Sequence, residues 1–314
     1  MGTAGSGKKI NKNTKCVYCE SYNVVSSKII SNKIKHDSRQ YKCHDCGKYF
    51  SVSINKLGDM RVVVISDTHC GHMTGLTPPE YQLMDDSLYA KFQKESWNWY
   101  VNMIERLKPI DVLICNGDMI DGRQEKGGGQ ELLVGDRFKQ IQMAQRCINV
   151  FDAKKIYLTK GTPYHVGKLE QFEVDLAEKV GGDIKAVQKL NINGCVFDVR
   201  HKIGRSAIPH GRFTTMARRG MWNDLMTIGK SEQRANIIIA SHVHYFIYLG
   251  HSNNRLMITT PALQGYSEYG AMECEGNVDY GMVKFDISEN GVVKDWKCYM
   301  ADFKNNFNDI ETVD

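Results

Sequence analysis

Five times along this chain an apolar run of strand length breaks off at a carboxylate or an imidazole, and that repetition constrains the fold more than any other feature. Arg61-Val62-Val63-Val64-Ile65 runs into Ser66-Asp67-Thr68-His69, and Ile110 to Cys115 runs into Asn116-Gly117-Asp118-Met119-Ile120-Asp121. Lys155 to Leu158 leads to Gly161-Thr162-Pro163-Tyr164-His165, Cys195 to Arg200 ends on His201, and Ala235 to Ala240 enters Ser241-His242-Val243-His244. Short apolar, β-branched runs read as buried strands. A buried strand cannot hold an unpaired carboxylate, so these polar groups belong at the strands' C-terminal edges, where α/β sheets gather their ligands. Taken alone, Asp67 and His69 fit an Asp helix cap followed by a loop histidine as well as they fit a metal site. Five such endings in series do not reduce to coincidence.

The remaining segments supply the connections. Helices are expected over Asp86 to Leu107, with Leu88, Phe92, Trp97, Val101 and Ile104 on one face, and over Asp136 to Phe151, Leu169 to Val180 and Arg212 to Ile228. Leu256 to Thr260, Gly281 to Ile287 and Val292 to Tyr299, the last two joined at Glu289-Asn290-Gly291, are expected to complete a second sheet. At 314 residues the chain suffices for one large domain or two unequal ones. No run of about eighteen apolar residues occurs, and residues 1–9 lack the apolar core of a secretory signal. A soluble, cytoplasmic protein with no membrane partner is the expectation.

The charge is uneven. The net charge is +5, yet residues 1–60 hold eleven Lys/Arg against four Asp/Glu, which leaves 30 against 32 for the rest. Four of the ten cysteines form Cys16-x-x-Cys19 and Cys43-x-x-Cys46, and the others are scattered. Paired knuckles at this spacing bring four thiolates around a structural Zn²⁺ in a reducing compartment. Three segments follow: a flexible tail over 1–13, a zinc ribbon over 14–58 and a large domain over 59–314. The ribbon interleaves Lys28, Lys33, Lys35, Arg39, Lys42 and Lys48 with Tyr18, Tyr22, Tyr41, Tyr49 and Phe50. Such a mixture suits a surface that neutralises phosphates and stacks bases, or a solvated ribbon whose aromatics are its core.

The series Asp-x-His, Gly-Asp-x-x-Asp, Gly-Thr-x-x-His, His and His-x-His resembles the calcineurin-like metallophosphoesterases over about residues 60–300. The resemblance implies an α/β (α+β) fold, a four-layer α/β/β/α sandwich with two divalent cations at one edge. Carried over by position, Asp67, His69 and His244 would bind the first cation, Asp118 would bridge, and His201 with His242 would bind the second. Carboxylate and imidazole donors suit Mn²⁺ first, with Fe or Zn²⁺ as alternatives. The chain departs from the family at the third motif, where Thr162 stands in place of a metal-binding Asn and the histidine is displaced to 165. His165 either reaches the second metal or acts as the general acid; the same variant is similar to one among phage-encoded members. Arg212, Arg218, Arg219 and His72 are candidate substrate contacts, against the reading of solvated helix arginines and an ordinary loop histidine.

The combination implies a nuclease, a DNA phosphodiesterase with the ribbon as its grip, in a family whose nucleases are often homodimers. The rivals are a phosphatase or small cyclic-nucleotide phosphodiesterase with a protein-binding ribbon, and a nucleic-acid-binding protein that has lost catalysis.

Overall fold

The computed structural model describes residues 15–30, 38–53, 58–125, 128–167, 171–206, 208–251, 255–267 and 278–303. The chain divides into two compact units, Met1–Gly58 and Asp59–Asp314. The tail expected over residues 1–13 lies outside the described residues, as do Lys33 and Lys35.

In the first unit, β1 (Val24–Ile30), β2 (Ser38–Cys43) and β3 (Tyr49–Ser53) form an antiparallel sheet in that order. Its core is small: Cys16, Val24, Cys43 and the stacked rings of Tyr41 and Phe50, whose centroids are 5.6 Å apart. The ribbon aromatics therefore divide, for Tyr18, Tyr22 and Tyr49 are exposed.

The second unit begins with β4 (Met60–Ile65), α1 (Leu88–Leu107), β5 (Val112–Asn116), α2 (Arg137–Asn149) and β6 (Lys155–Thr159). It continues through α3 (Pro163–Val166), α4 (Phe172–Val180), β7 (Asp183–Lys185), β8 (Val187–Ile192), β9 (Cys195–Arg200) and α5 (Gly211–Ile228). The last strands are β10 (Ile237–Ala240), β11 (Ile247–His251), β12 (Arg255–Thr259), β13 (Tyr280–Ile287) and β14 (Val293–Ala301). Ser87 caps α1 by accepting from the Ala90 N–H, and Asp136 caps α2 by accepting from the Phe138 and Lys139 N–H groups. The buried face of α1 is Ala90, Gln93, Ser96, Trp97, Tyr100, Ile104 and Leu107, so Leu88 lies outside the stripe expected for it.

Two sheets result, β14-β13-β4-β5-β6-β7 and β11-β12-β10-β9-β8, with β4 to β7 parallel and β9, β10 and β12 parallel. Side-chain alternation then makes the layers. Val63, Ile65, Leu113 and Cys115 face the cluster that contains residues of α1, α2 and α4. Val62, Val64, Val112 and Ile114 face Leu190, Phe197, Val199, Ile237 and Ile239 of the other sheet. On that sheet's far side Val196, Ile238 and Met257 pack on Met216 of α5. This is the four-layer α/β/β/α sandwich that the sequence motifs imply.

One strand assignment differs from the sequence reading. β13 and β14 join the first sheet, not the second, because β13 pairs with β4 from Val283↔Val64 to Ile287↔Met60. Val283, Phe285 and Ile287 of β13 meet the second sheet and Tyr280 and Met282 meet the helices, while Lys284 and Asp286 beyond them are ion-paired. A strand with apolar residues on both sides belongs inside a covered sheet. Among the described residues no helix is long and apolar enough to cross a membrane.

Phe197 and Phe285 pin the two sheets together edge to face, 5.6 Å between centroids at 90°. Phe197→Ala is expected to cost about 3–5 kcal/mol in urea unfolding with the m-value unchanged, as a cavity at a rigid seam should.

Candidate metal centre

All five motif loops leave the C-terminal ends of parallel strands, β4, β5 and β6 in one sheet and β9 and β10 in the other. The turns are sharp. Asp67, His69, Asp118, His242 and His244 all have φ between 41° and 74°, a region that side chains other than glycine enter at a cost. Packing holds them there: the Asp67 N–H donates to Gly117 O and the His69 N–H to Asp118 O, at 3.0 and 3.1 Å. Two glycines are dictated by close approach. A Cβ on Gly117 (φ 77°) would lie 2.6 Å from the His201 ring, and one on Gly161 would lie 2.2 Å from Asp118 Oδ1.

Three overlapping groups of donors result: Asp67, His69 and His244; Asp118, His201 and His242; and His69, Asp118 and His165. Within each, the ligand atoms lie within 4.8 Å of one another. Asp67 Oδ1 is 3.3 Å from His244 Nε2, 3.9 Å from His69 Nε2 and 4.0 Å from His201 Nε2. Asp118 Oδ2 is 2.8 Å from His201 Nε2 and 3.9 Å from His242 Nδ1. Asp67 Oδ1 and His69 Nε2 are buried without a hydrogen-bond partner, while His201 Nε2 has only the Asp118 carboxylate. Buried polar atoms are rarely left so. Donors bonded to one cation at about 2.0–2.2 Å necessarily lie a few ångströms apart, and carboxylate with imidazole is a metal-binding set, so these residues fit divalent cations.

The electrostatics agree with that fit. Burial alone would raise the Asp67, Asp118 and Asp121 carboxyls, but the histidines around them hold all three well below the usual range. In return, His201 rises to about 10 and His165 to about 9 against the opposing effect of burial. His69 falls to about 4, since burial and the neighbouring His165 both disfavour its charge. The cavity thus selects positive charge while keeping His69 neutral, the form that ligates metal.

Behind the donors lies a layer that aims them. Asp121 Oδ1 is 3.2 Å from His69 Nδ1, its backbone oxygen accepts from His165 Nδ1 at 2.7 Å, and Gln124 Nε2 donates to its Oδ2. Asn116 O accepts from His201 Nδ1 at 2.7 Å. Both His69 and His201 therefore present Nε2 to the site. Thr162 donates its N–H to Asp118 Oδ1 at 2.6 Å, and its hydroxyl lies 3.1 Å from Oδ2. It holds the Asp118 carboxylate through both of its oxygens.

Sequence reasoning missed Glu173. This α4 residue is buried and accepts from the Met119 and Gly161 N–H groups at 3.1 and 2.6 Å, tying two motif loops together. Burial, then the nearby Asp118 charge, raises its carboxyl to about 7. No motif marked it; its only signal was an acidic residue on the apolar side of a short helix.

The substrate candidates separate. Arg219 lies in an ion-pair network, bonding Asp198 and reaching Glu232 at 3.1 Å. His72 is buried, its Nδ1 accepting from the Thr74 N–H at 3.0 Å. The Arg212 guanidinium lies 4.3 Å from the Tyr245 ring centroid, beside the His242/His244 loop, and Arg218 is exposed on α5.

In the first unit Cys16, Cys19, Cys43 and Cys46 form a fourth donor group. The Sγ atoms of Cys16 and Cys46, and of Cys19 and Cys43, are 3.6 Å apart. The Tyr18 N–H donates to Cys16 Sγ, and such donors outweigh burial to bring that thiol to about 7. Four thiols in this arrangement fit a tetrahedral metal.

A family profile described as Calcineurin-like phosphoesterase (Metallophos) matches residues 60–266, well over half of the chain. Among solved structures, Vps29 from Chaetomium thermophilum matches at 8% identity over 77% of this chain and 98% of its own, with a TM-score of 0.37. A protein of unknown function from Aquifex aeolicus matches at 16% identity over 59% and 80%, with a TM-score of 0.32. A dimetal phosphatase from Danio rerio matches at 8% identity over 73% and 93%, with a TM-score of 0.39. No curated protein matches by sequence.

Removing the Glu173 brace strands two buried N–H groups, so Glu173→Ala is expected to lose on the order of 2–4 kcal/mol in chemical denaturation. A pH dependence follows from Glu232, where burial opposes the charge but Asn223, Lys189 and Arg219 lower the carboxyl from 4.5 to about 2. A carboxyl depressed in the fold stabilises above its unfolded value, and that stability is lost as pH falls from about 4.5 to about 2. Glu232→Gln should cost about 1–2 kcal/mol at pH 7, after allowance for solvent screening, and flatten the acid limb of a Tm–pH curve over that window.

Proposed function

This chain belongs to the calcineurin-like phosphoesterase family, and from that premise we propose that it is a metal-dependent phosphodiesterase that hydrolyses DNA, with its N-terminal ribbon as the grip. One observation supports the metal chemistry above the others: buried Asp67 Oδ1 and His69 Nε2, 3.9 Å apart and without a hydrogen-bond partner, beside His201 and His244 at the edge of two sheets. The choice of DNA rests on the basic, aromatic ribbon carried in the same chain as this site.

In this reading Asp67, His69 and His244 would hold one cation, and Asp118, His201 and His242 would hold a second. When bound, such a pair of divalent cations, Mn²⁺ in our assignment, activates water near neutral pH and neutralises the phosphoryl oxygens. Cys16, Cys19, Cys43 and Cys46 hold a structural Zn²⁺. Asp121 and Asn116 fix the rings of His69, His165 and His201 through their Nδ1 atoms. His165, whose Nδ1 is held by the Asp121 backbone oxygen, is the group placed to give a proton to the departing oxygen. Arg212 and Arg218 meet flanking phosphates.

The test is cleavage of labelled DNA by metal-stripped protein resupplied with Mn²⁺, with a nitrophenyl phosphodiester alongside. Asp118→Asn should lower DNA cutting at least about a thousandfold. His165→Gln should lower kcat by about 10²–10⁴ while bound Mn²⁺ is unchanged. Turnover of the small diester alone would favour a small-molecule phosphodiesterase, and DNA binding without turnover of either would mark a binding protein.

A further inference from the structure

Tyr18, Tyr22 and Tyr49 are 57, 54 and 53% exposed, whereas Tyr41 and Phe50 of the same ribbon are 5% exposed and make its core. The core does not need the three outer rings. Each of them carries a lysine: Lys48 Nζ lies 4.7 Å from the Tyr18 centroid, and Lys15 and Lys42 lie 5.5 Å from Tyr22 and Tyr49. All three pairs are attached to the cysteine knuckles. Lys15, Tyr18 and Tyr22 bracket Cys16 and Cys19, while Lys42, Lys48 and Tyr49 bracket Cys43 and Cys46. A bound metal would therefore hold the pairs around one end of the ribbon.

We propose that this end of the ribbon binds single-stranded DNA, stacking unpaired bases on Tyr18, Tyr22 and Tyr49 while Lys42 and Lys48 take the adjoining phosphates. The proposal deepens the nuclease reading and rests on it for the choice of DNA. A nucleotide offers a flat base and a phosphate side by side, and each Tyr–Lys pair offers their complements. The few acids nearby do not oppose this. Glu20 is engaged by Lys15 at 3.3 Å, and Asp45 accepts from Ser21 and, at 2.7 Å, from Asn23. A duplex hides its base faces and offers only groove edges, so the exposed rings of Tyr18, Tyr22 and Tyr49 can stack on bases only where these are unpaired.

The experiment uses full-length Asp118→Asn protein without added Mn²⁺ and follows the anisotropy of a labelled oligonucleotide of about 20 nucleotides, single-stranded or annealed to its complement. We expect the single strand to bind at least about tenfold tighter than the duplex. Joint Tyr18→Leu, Tyr22→Leu and Tyr49→Leu substitution should weaken the single strand about a hundredfold and leave the duplex within about twofold. Lys42→Gln with Lys48→Gln should instead lower the slope of log Kd against log salt by about 1.4, near 0.7 for each phosphate lost. Thiol-bound zinc, measured on every variant, reports whether the ribbon is folded. If the triple variant loses zinc, Tyr18→Phe, Tyr22→Phe and Tyr49→Phe, which keep the rings, must bind as the parent does.

Equal or tighter duplex binding, a zinc-replete triple variant that binds as the parent does, or ring-retaining variants that lose affinity would each overturn the proposal. If neither DNA form binds, the grip fails as well, whereas the cleavage assay still decides hydrolysis by itself.

Discussion

The large unit is arranged around a concentration of buried charge: Asp67, Asp118 and Asp121, each 1% exposed or less, among five histidines. Burying one carboxylate is unfavourable; burying three together requires compensating positive charge and many donors. The protein supplies part of that from its own histidines, as the raised His165 and His201 values show. What remains is a set of inward-facing ligand atoms with no protein partner. The sandwich is what makes this arrangement accessible, since two sheets that pack face to face bring the C-terminal ends of β4, β5, β6, β9 and β10 to one place.

The same constraint explains the irregular backbone. Left-handed Asp and His residues are unfavourable individually, yet here five of them flank one cavity. Tolerance comes from a surrounding shell of hydrogen bonds: Glu173 joins the loops after β5 and β6, and Asn116 Nδ2 bonds Ser241 Oγ at 2.6 Å, joining the loops after β5 and β10. Asn116 and Ser241 come from different sheets, so the shell also fixes how one sheet is set on the other at the site. Rigidity of this kind is what a preorganised ligand set needs.

Much of this was legible in the sequence because strands and their ends leave a local mark. The valine run 62–64 followed by Asp67 and His69 announces both a buried strand and a polar edge, and Ser87 and Asp136 sit where helix caps belong. The strands at 183–192 left no such mark: Val187-Gln188-Lys189-Leu190-Asn191-Ile192 alternates in burial, but its buried Gln188 and short length hide the period. Sheet membership was not legible either. Whether β13 joins β4 or β12 depends on cross-strand packing between residues more than 200 positions apart. The engagement of Arg219 by Asp198 was not legible for the same reason, since that partner is brought in by tertiary placement.

Thr162 shows how a changed motif residue alters its neighbours' work. An ionised carboxylate offers about four acceptor positions. The Thr162 N–H and hydroxyl claim two of those on Asp118, and His201 Nε2 stands 2.8 Å from Oδ2. Little of the Asp118 acceptor capacity is left for anything but the cavity in front of it. His165, three residues on, has its Nδ1 held by the Asp121 backbone oxygen, which leaves Nε2 as its free ring atom, and it forms a donor group with His69 and Asp118. Asp121 thus meets His69 through Oδ1 and His165 through its backbone oxygen, so the second Asp of the Gly-Asp-x-x-Asp motif sets the rings of the motifs before and after it.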